Sequence, residues 1–405
     1  MLDDNLLLFT LRYKRYYLDT MTIQSPDPLI IETIERVCRA EIHKYQDECF
    51  YNTVPRPLFR AFGDAGLAGL SVPESYGGIS ASATTCAAAF ETISRYDLGP
   101  AIFLSVHTMV SRLITGHGTL QQKQELLPKI AAGELLCAFA LTEPHAGSDS
   151  QALTTTATRN GDSYLLTGSK CYISSAGFAD LYIVCAKTAD TAGSGISAFI
   201  VPSSTPGLTI GNPERKMGGE LSPIASLFFD QAPLPASALL GPLHHGFKVA
   251  LSGLTSGRIN IAACANGLSA AAIESALKHL NTRQQFGHPL ADFQGLQFMV
   301  ADMYVKLEAA RLLTLKAAED LDATHTAGVN NKLNTKLSAS VAKCFATDTA
   351  MAITTDAVQL LGGAGYLKDY AVERYMREAK MLQIVEGTNQ IQRMIIAQEI
   401  LAETN

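Results

Sequence analysis

The apolar positions change their period twice along the chain. From about residue 28 to 130 they recur every three or four residues, as in IIETIERVCRAEIHKY, CAAAFETISRYD and QQKQELLPKIAAGE, the spacing of helices with one face turned to a core. Pro73 and Gly77-Gly78 punctuate that pattern. Between about 137 and 240 it gives way to short runs with strand preferences, YLLTGSKCYISS, DLYIVCAKT, SAFIVPS and ASLFFD, separated by Gly, Pro, Asn and Asp. Four or more such runs at close spacing predict a compact, mostly antiparallel β-domain, closed off by the Pro-rich crossing 232-APLPASALLGP-242. From about 246 long helical periods return, in GRINIAACANGLSAAAIESALKHL, LQFMVADMYVKLEAARLLTLKAAEDL and KLSASVAKCFATDTAMAITTDAVQLL, and their Ala and Leu content predicts a closely packed bundle. The expected class is α+β: an N-terminal extension over 1–27, a helical domain over 28–136, a central antiparallel β-domain over 137–243 and a helical bundle over 244–405.

A chain of 405 residues has room for two or three domains. Charged residues make up 17% and AVILMFWYC 47%, against about 25% charged in an average soluble chain, so extensive burial is expected, subunit interfaces included. With a net charge of −6 and scattered Lys and Arg, nucleic acid is not an expected partner. The cysteines, Cys38, Cys49, Cys86, Cys137, Cys171, Cys185, Cys264 and Cys344, form no CxxC and have no His-rich neighbourhood. A zinc site or disulfide framework is therefore not expected, and a reducing compartment is. No apolar run approaches the roughly 18 residues that span a bilayer. The N-terminal LLLF is too short for a signal core and precedes Arg12-Tyr13-Lys14-Arg15 instead of following it. Residues 1–20 read as an upstream start or an extension particular to this chain.

Candidate chemistry centres on 383-QIVEGTNQIQR-393. Glu386 has two readings there: a solvated carboxylate between helices, or a general base held where water is scarce. Gly193-Ser-Gly195-Ile-Ser-Ala198 matches the dinucleotide pattern G-x-G-x-x-A, but a strand, AFIVPS, follows where a helix is required, so it reads as a turn. In 139-FALTEPHAGSD-149, small residues let backbone N–H groups approach an anion, or the stretch is a capped surface turn. Tyr172 in 168-GSKCYISSAG-177 offers a ring for stacking, or simply packs. Arg283 in 283-RQQFGHPLADFQ-294 suits phosphate or caps a helix. The Gly-rich 359-QLLGGAGY-366 could meet a pyrophosphate or form a helix end.

Taken together, TEPxAGSD, GxKxxIS, GR-x-NIA, R-x-x-FG, Q-x-x-GGxGY and EGTNQIQR, in this order on a helix–strand–helix chain, resemble the acyl-CoA dehydrogenase family of flavoproteins over roughly residues 28 to 402. The stretches 254-LTSGRINIAA-263, 286-FGHPLADFQGLQF-298 and 365-GYLKDYAVERY-375 look most like isobutyryl-CoA dehydrogenases, which act in valine degradation. The resemblance implies a C-terminal four-helix bundle and FAD as cofactor. Glu386 would be the catalytic base that removes the α-proton of an acyl-CoA while a hydride leaves the β-carbon for flavin N5, and its own backbone N–H would help polarise the thioester carbonyl. Some relatives carry the base just before the Arg of the central helix; here that position is Gly257, so Glu386 stands alone.

By the same carry-over Phe139, Ala140, Leu141, Thr142, Gly147, Ser148, Tyr172, Ile173 and Ser174 would bind the flavin. Thr388, Asn389 and Gln390 would complete its site. Arg283, Phe286, Phe293, Gln294, Gln359, Leu360, Leu361, Gly362 and Gly363 would reach the FAD of a neighbouring subunit. Ser148, Gly387 and the substrate-contacting turn Thr255, Ser256, Gly257 and Arg258 would meet the acyl-CoA. Two departures touch substrate contacts: Thr255-Ser256 replaces an Asn-Gly, and Gln398 stands where relatives tend to carry an Arg. The expectation is a homotetramer, a dimer of dimers, passing electrons to electron-transfer flavoprotein in a bacterial cytoplasm or a mitochondrial matrix. Isobutyryl-CoA is the first substrate, ahead of butyryl- or 2-methylbutyryl-CoA. An acyl-CoA oxidase using O₂ and a non-catalytic scaffold are the alternatives, and no metal is expected.

Overall fold

A computed structural model describes residues 26–46, 50–191, 194–326 and 334–402; the readings placed on residues 1–20, on Cys49 and on Gly193 lie outside them. Local capping chemistry starts the N-terminal helices. The Asp27 carboxylate accepts from the Leu29 N–H ahead of α1 (Pro28–Glu41), where Pro supplies a ready-made φ. After α2 (Arg56–Asp64), Ser82 caps α3 (Ala83–Tyr96) and Asp97 caps α4 (Leu98–His117). A reciprocal Thr119–Gln122 box opens α5 (Leu120–Ala131).

Helix α4 corrects one expectation. By length and mean hydropathy it is apolar enough to cross a bilayer, yet 83% of its apolar window is buried inside the protein. Its polar members are accommodated there: His107 Nε2 bonds the Ala68 carbonyl and its Nδ1 accepts from the Cys137 N–H. The apolar length thus serves a core.

Strands β1 (Cys137–Ala140), β2 (Thr156–Asn160), β3 (Ser163–Ser174), β4 (Leu181–Thr191), β5 (Ser194–Pro202), β6 (Leu208–Ile210), β7 (Ile224–Pro235) and β8 (Leu239–Leu240) make one sheet ordered β6-β7-β3-β2-β4-β5-β8, with β1 on β4. Pairing is antiparallel except where β1, and one residue of β2, meet β4. The decoy glycine pattern indeed leads into strand β5. Register shifts in β3 between Leu166 and Gly168 and between Lys170 and Ile173 mark bulges, which re-aim side chains.

The C-terminal domain consists of α6 (Gly246–Thr282), a hairpin of β9 (Gln284–Gln285) and β10 (His288–Pro289), α7 (Gln294–Thr326), α8 (Thr335–Leu361), α9 (Val372–Leu382) and α10 (Asn389–Ala402). Small residues let these helices approach closely. A Cβ on Gly267 of α6 would stand 2.1 Å from the Glu91 carbonyl of α3, so α3 and α6 touch at backbone distance. One apolar cluster runs from α1 through the sheet to α9.

Within that core Glu378 of α9 is fully buried and neither carboxylate oxygen has a hydrogen-bond partner among the described residues. Burial pushes its pKa up to about 8, against the pull of Arg374. The folded protein therefore binds this proton more tightly than the unfolded chain, and the stability it confers is lost as pH climbs from about 4.5 through about 8. Glu378→Gln, which cannot ionise, is expected to raise the unfolding temperature at pH 8.5 by several degrees and to change it little at pH 5, read by thermal unfolding at both. An equal shift at the two pH values would show that ionisation of Glu378 carries no such cost.

Candidate active site

Glu386 lies in the connection between α9 and α10, and its backbone is left-handed, with φ of 56°, followed by 87° at Gly387. That conformation is unfavourable for a residue with a Cβ, so the surroundings must enforce it. Gln392 Nε2 donates to the Gly387 carbonyl at 2.8 Å and to the Glu386 carbonyl at 3.2 Å. Lys343 Nζ donates to the Gly387 carbonyl at 3.0 Å, and Arg258 Nε to the Glu386 carbonyl at 3.4 Å. Four polar bonds from α6, α8 and α10 thus converge on two carbonyls.

The side chain lies against α6. A Cβ built on Gly257 would come within 2.8 Å of Glu386 Oε2 and 3.0 Å of Oε1, so only glycine leaves room for the carboxylate. The alternative base position and Glu386 therefore address the same space from two elements. Oε2 is buried with no hydrogen-bond partner among the described residues, which is costly for a charged oxygen. Burial pushes the Glu386 pKa up to about 7, while the nearby charges of Arg258 and Lys343 pull it down. The reading of Glu386 as a solvated carboxylate fails on this geometry. Of its apolar neighbours in sequence, Ile384 is 54% exposed and Val385 packs on the core, and the α6 backbone at Gly257 supplies the closest cover.

The residues expected to meet substrate sit mid-helix in α6, not in a turn. Tertiary burial holds Ser, Gly and Thr in helical conformation despite weak propensity. Ser256 is buried and its Oγ donates to the Gly253 carbonyl one turn back, which leaves the hydroxyl only as an acceptor for a ligand. Thr255 is half-buried, and Gln398 is exposed on α10.

A second group forms where the loop after β1 meets the β3 bulge. The Cys171 N–H donates to the Thr142 carbonyl. Beneath it Lys170 Nζ meets Glu143 Oε1 at 2.7 Å with both side chains buried. Burial opposes ionisation of Glu143, but the Lys170 charge and the Thr154 and Thr155 donors hold its pKa near 2. Sequence reasoning missed this pair; a Lys inside an apolar strand, two residues before Tyr172, was its signal. The pair fixes the bulge that turns Tyr172 outward, 66% exposed, with φ of 57°. Ala140, Leu141 and Ile173 are buried and half-buried Phe139 packs on the smaller core cluster, so the buried three can offer a ligand only backbone groups. Ser174 is half-buried, and Gly147 and Ser148 are exposed with open space beside Gly147.

A third group is on the surface. Arg283 ends α6, Phe286 is 91% exposed at the hairpin tip and packs edge-on with Phe293, and Gln294 and Gln359 are exposed. Gly362 and Gly363 are exposed after α8, whereas Leu360 and Leu361 face the core, which limits those two to backbone contacts. Asn389 is also corrected. Its side chain turns into the bundle, donating to Thr347 Oγ1 and Asp348 Oδ1 and accepting from Lys343 Nζ. Thr388 Oγ1 accepts from the Ile391 N–H at the start of α10, and Gln390 is exposed.

An outward aromatic ring on a rigid bulge, open backbone around Gly147 and a carboxylate whose buried oxygen has no partner among the described residues fit a planar redox cofactor and an acidic C–H substrate, the apparatus of a flavin-dependent dehydrogenase. Comparison with known proteins agrees. The chain matches the acyl-CoA dehydrogenase N-terminal domain over residues 27–134, the middle domain over 138–232 and the C-terminal domain over 244–401, and it belongs to the acyl-CoA dehydrogenase family of FAD-dependent oxidoreductases. It is 46% identical to an acyl-CoA dehydrogenase of Bacillus subtilis, covering 90% of this chain and 93% of that one. It is 40% identical to the cyclohex-1-ene-1-carbonyl-CoA dehydrogenase of Syntrophus aciditrophicus (95% and 92%) and 38% identical to the mitochondrial isobutyryl-CoA dehydrogenase of Dictyostelium discoideum (85% and 82%). Among solved structures, butyryl-CoA dehydrogenase from Megasphaera elsdenii superposes with a TM-score of 0.89 at 37% identity, over 94% and 100% of the chains. A glutaryl-CoA dehydrogenase from Mycobacterium smegmatis in complex with FADH2 does so at 0.84 and 30%, over 92% and 93%.

Proposed function

We propose that this acyl-CoA dehydrogenase oxidises a short, branched acyl-CoA, isobutyryl-CoA first, to the α,β-enoyl-CoA, with Glu386 as the base. The observation that carries the base assignment is the buried, unpartnered Glu386 Oε2 lying over Gly257. The Glu386 carboxylate takes the α-proton, and the electron pair of that C–H bond becomes the new double bond as hydride leaves the β-carbon. Bound FAD supplies the two-electron acceptor for that hydride. Negative charge moves onto the thioester oxygen as the α-proton departs, and the Glu386 N–H, without a partner among the described residues, is the protein's donor for it. Tyr172, Thr142 and Ser174 flank the flavin, with backbone contributions from residues 139–142 and 173 and from Thr388-Asn389. Arg283, Phe286, Phe293, Gln294 and Gln359 to Gly363 serve the cofactor of a neighbouring subunit.

Support for the substrate comes from the motif stretches that resemble isobutyryl-CoA dehydrogenases and from the isobutyryl-CoA relative; the relatives also name butyryl-CoA and a cyclic acyl-CoA, so butyryl- and 2-methylbutyryl-CoA are the runners-up. Support for a homotetramer comes from the exposed apolar side chains Phe298, Val305 and Leu312 along α7, with Phe286 beside them in sequence. Electron-transfer flavoprotein is the proposed acceptor, and a reducing compartment, bacterial cytoplasm or mitochondrial matrix, the proposed location.

Anaerobic titration of the visible flavin spectrum tests this reading. Isobutyryl-CoA is expected to bleach the oxidised band at close to one equivalent per subunit. Bleaching only by butyryl-CoA or a longer thioester would overturn the substrate and keep the reaction. Rapid oxygen consumption during turnover would replace the electron-transfer partner with O₂.

A further inference from the structure

The site contains a buried cation that the motif reading did not include. Lys343 lies in α8 in the run SVAKCFATD, and its side chain is fully buried. An ammonium in such a place needs compensation. It receives it from the loop that carries the base: Lys343 Nζ donates to the Gly387 carbonyl at 3.0 Å and to Asn389 Oδ1 at 2.8 Å. Asn389 is held in turn by Thr347 and Asp348, and Asp348 by Arg393 at 2.6 Å and by Gln383. The ammonium is thus fixed on the carbonyl one residue from Glu386, while Arg258 meets the carbonyl of Glu386 itself.

We infer that Lys343 is the positioning residue for the base: through the Gly387 carbonyl it holds the left-handed Glu386–Gly387 connection, and its charge favours the ionised form of a carboxylate whose Oε2 is buried. This rests on Glu386 being the base. The charged and titratable groups around it are Arg258 from α6, Lys343, Cys344 and Asp348 from α8, and Arg393 from α10, while α9 contributes the neutral Gln383. Arg393 is turned to Asp348, which leaves Lys343 and Arg258 as the two cations acting on Glu386, each opposing the upward push of burial. Burial also brings the Lys343 pKa down to about 8, with Glu386 the largest influence holding it up.

The test is the protonation midpoint of Glu386, read by infrared difference spectroscopy as the carboxyl band that disappears in Glu386→Gln, in the FAD-loaded protein. Lys343→Met is expected to move that midpoint upward by about one pH unit and to lower kcat at pH 7 about tenfold with KM little changed. Lys343→Arg should restore the midpoint. An unmoved midpoint in Lys343→Met would overturn the inference, as would a shift of equal size in Lys343→Arg. If Lys343→Met does not fold, Lys343→Gln, which keeps a donor and loses the charge, is read the same way. The infrared midpoint does not depend on turnover, so a wild-type protein that no acyl-CoA reduces would refute the proposed reaction and leave this measurement standing.

Discussion

Glu386→Gln is expected to keep its FAD and to reduce that flavin with acyl-CoA at least about 10³-fold more slowly than the wild type, within the range of a lost general base. The amide has the shape of the carboxylate and no capacity to take a proton. The four bonds that hold the loop come from Gln392, Lys343 and Arg258 to backbone carbonyls, and none involves the side chain that is changed. Folding, flavin content and CoA binding should therefore survive, which separates loss of chemistry from loss of structure. Anaerobic stopped-flow absorbance measures the step directly. In the wild type the base must be ionised, so kcat/KM should rise as pH increases through about 7, and the residual rate of the variant should lack that limb. Residual reduction within tenfold of wild type would mean that another group takes the proton, and the neighbouring position on α6, Gly257, has no side chain to do it.

Gly257→Ala should separate stability from activity in opposite directions. In the middle of α6 alanine favours helix over glycine by about 1 kcal/mol, so the unfolding temperature should hold or rise. The added methyl, however, would stand 2.8 to 3.0 Å from the Glu386 carboxylate, closer than van der Waals contact permits. What the methyl would meet is the end of a side chain, so the carboxylate swings away and the backbone stays. Misplacing a reacting group by about 1 Å costs on the order of 10²-fold, and a 10- to 100-fold fall in kcat with retained FAD is the expected result. Full activity in Gly257→Ala would show that the carboxylate does not work from the position seen over α6.

Helix and strand periods predicted the order of elements because each depends on contacts within a few residues. The mostly antiparallel sheet followed from short runs and turns, but the parallel placement of β1 against β4 is a long-range pairing that no local pattern encodes. Leu360, Leu361, Ile173 and Asn389 have buried side chains, because alternate faces of a strand or helix turn motif neighbours inward, and only their backbone groups can face a cofactor. The supposed turn at Thr255-Ser256 proved to be helix, since packing against α3 and α4 overrides the weak propensity of those residues. Helix α4 met the length of a membrane span and is a core helix, because composition states how apolar a segment is and not what covers it.

What the sequence by itself determined is the class of chemistry: a family's ordered motifs, one carboxylate in the EGT stretch, and a glycine where a second base would otherwise stand. What only the tertiary structure decided is why the pKa of that carboxylate is raised. Arg258 reaches Glu386 across 128 residues and Lys343 reaches Gly387 across 44, and the removal of water from Oε2 needs α6, α8 and α10 to converge on one loop. A pKa is set by desolvation and by charges a few ångströms away, and those distances exist only after the chain has folded.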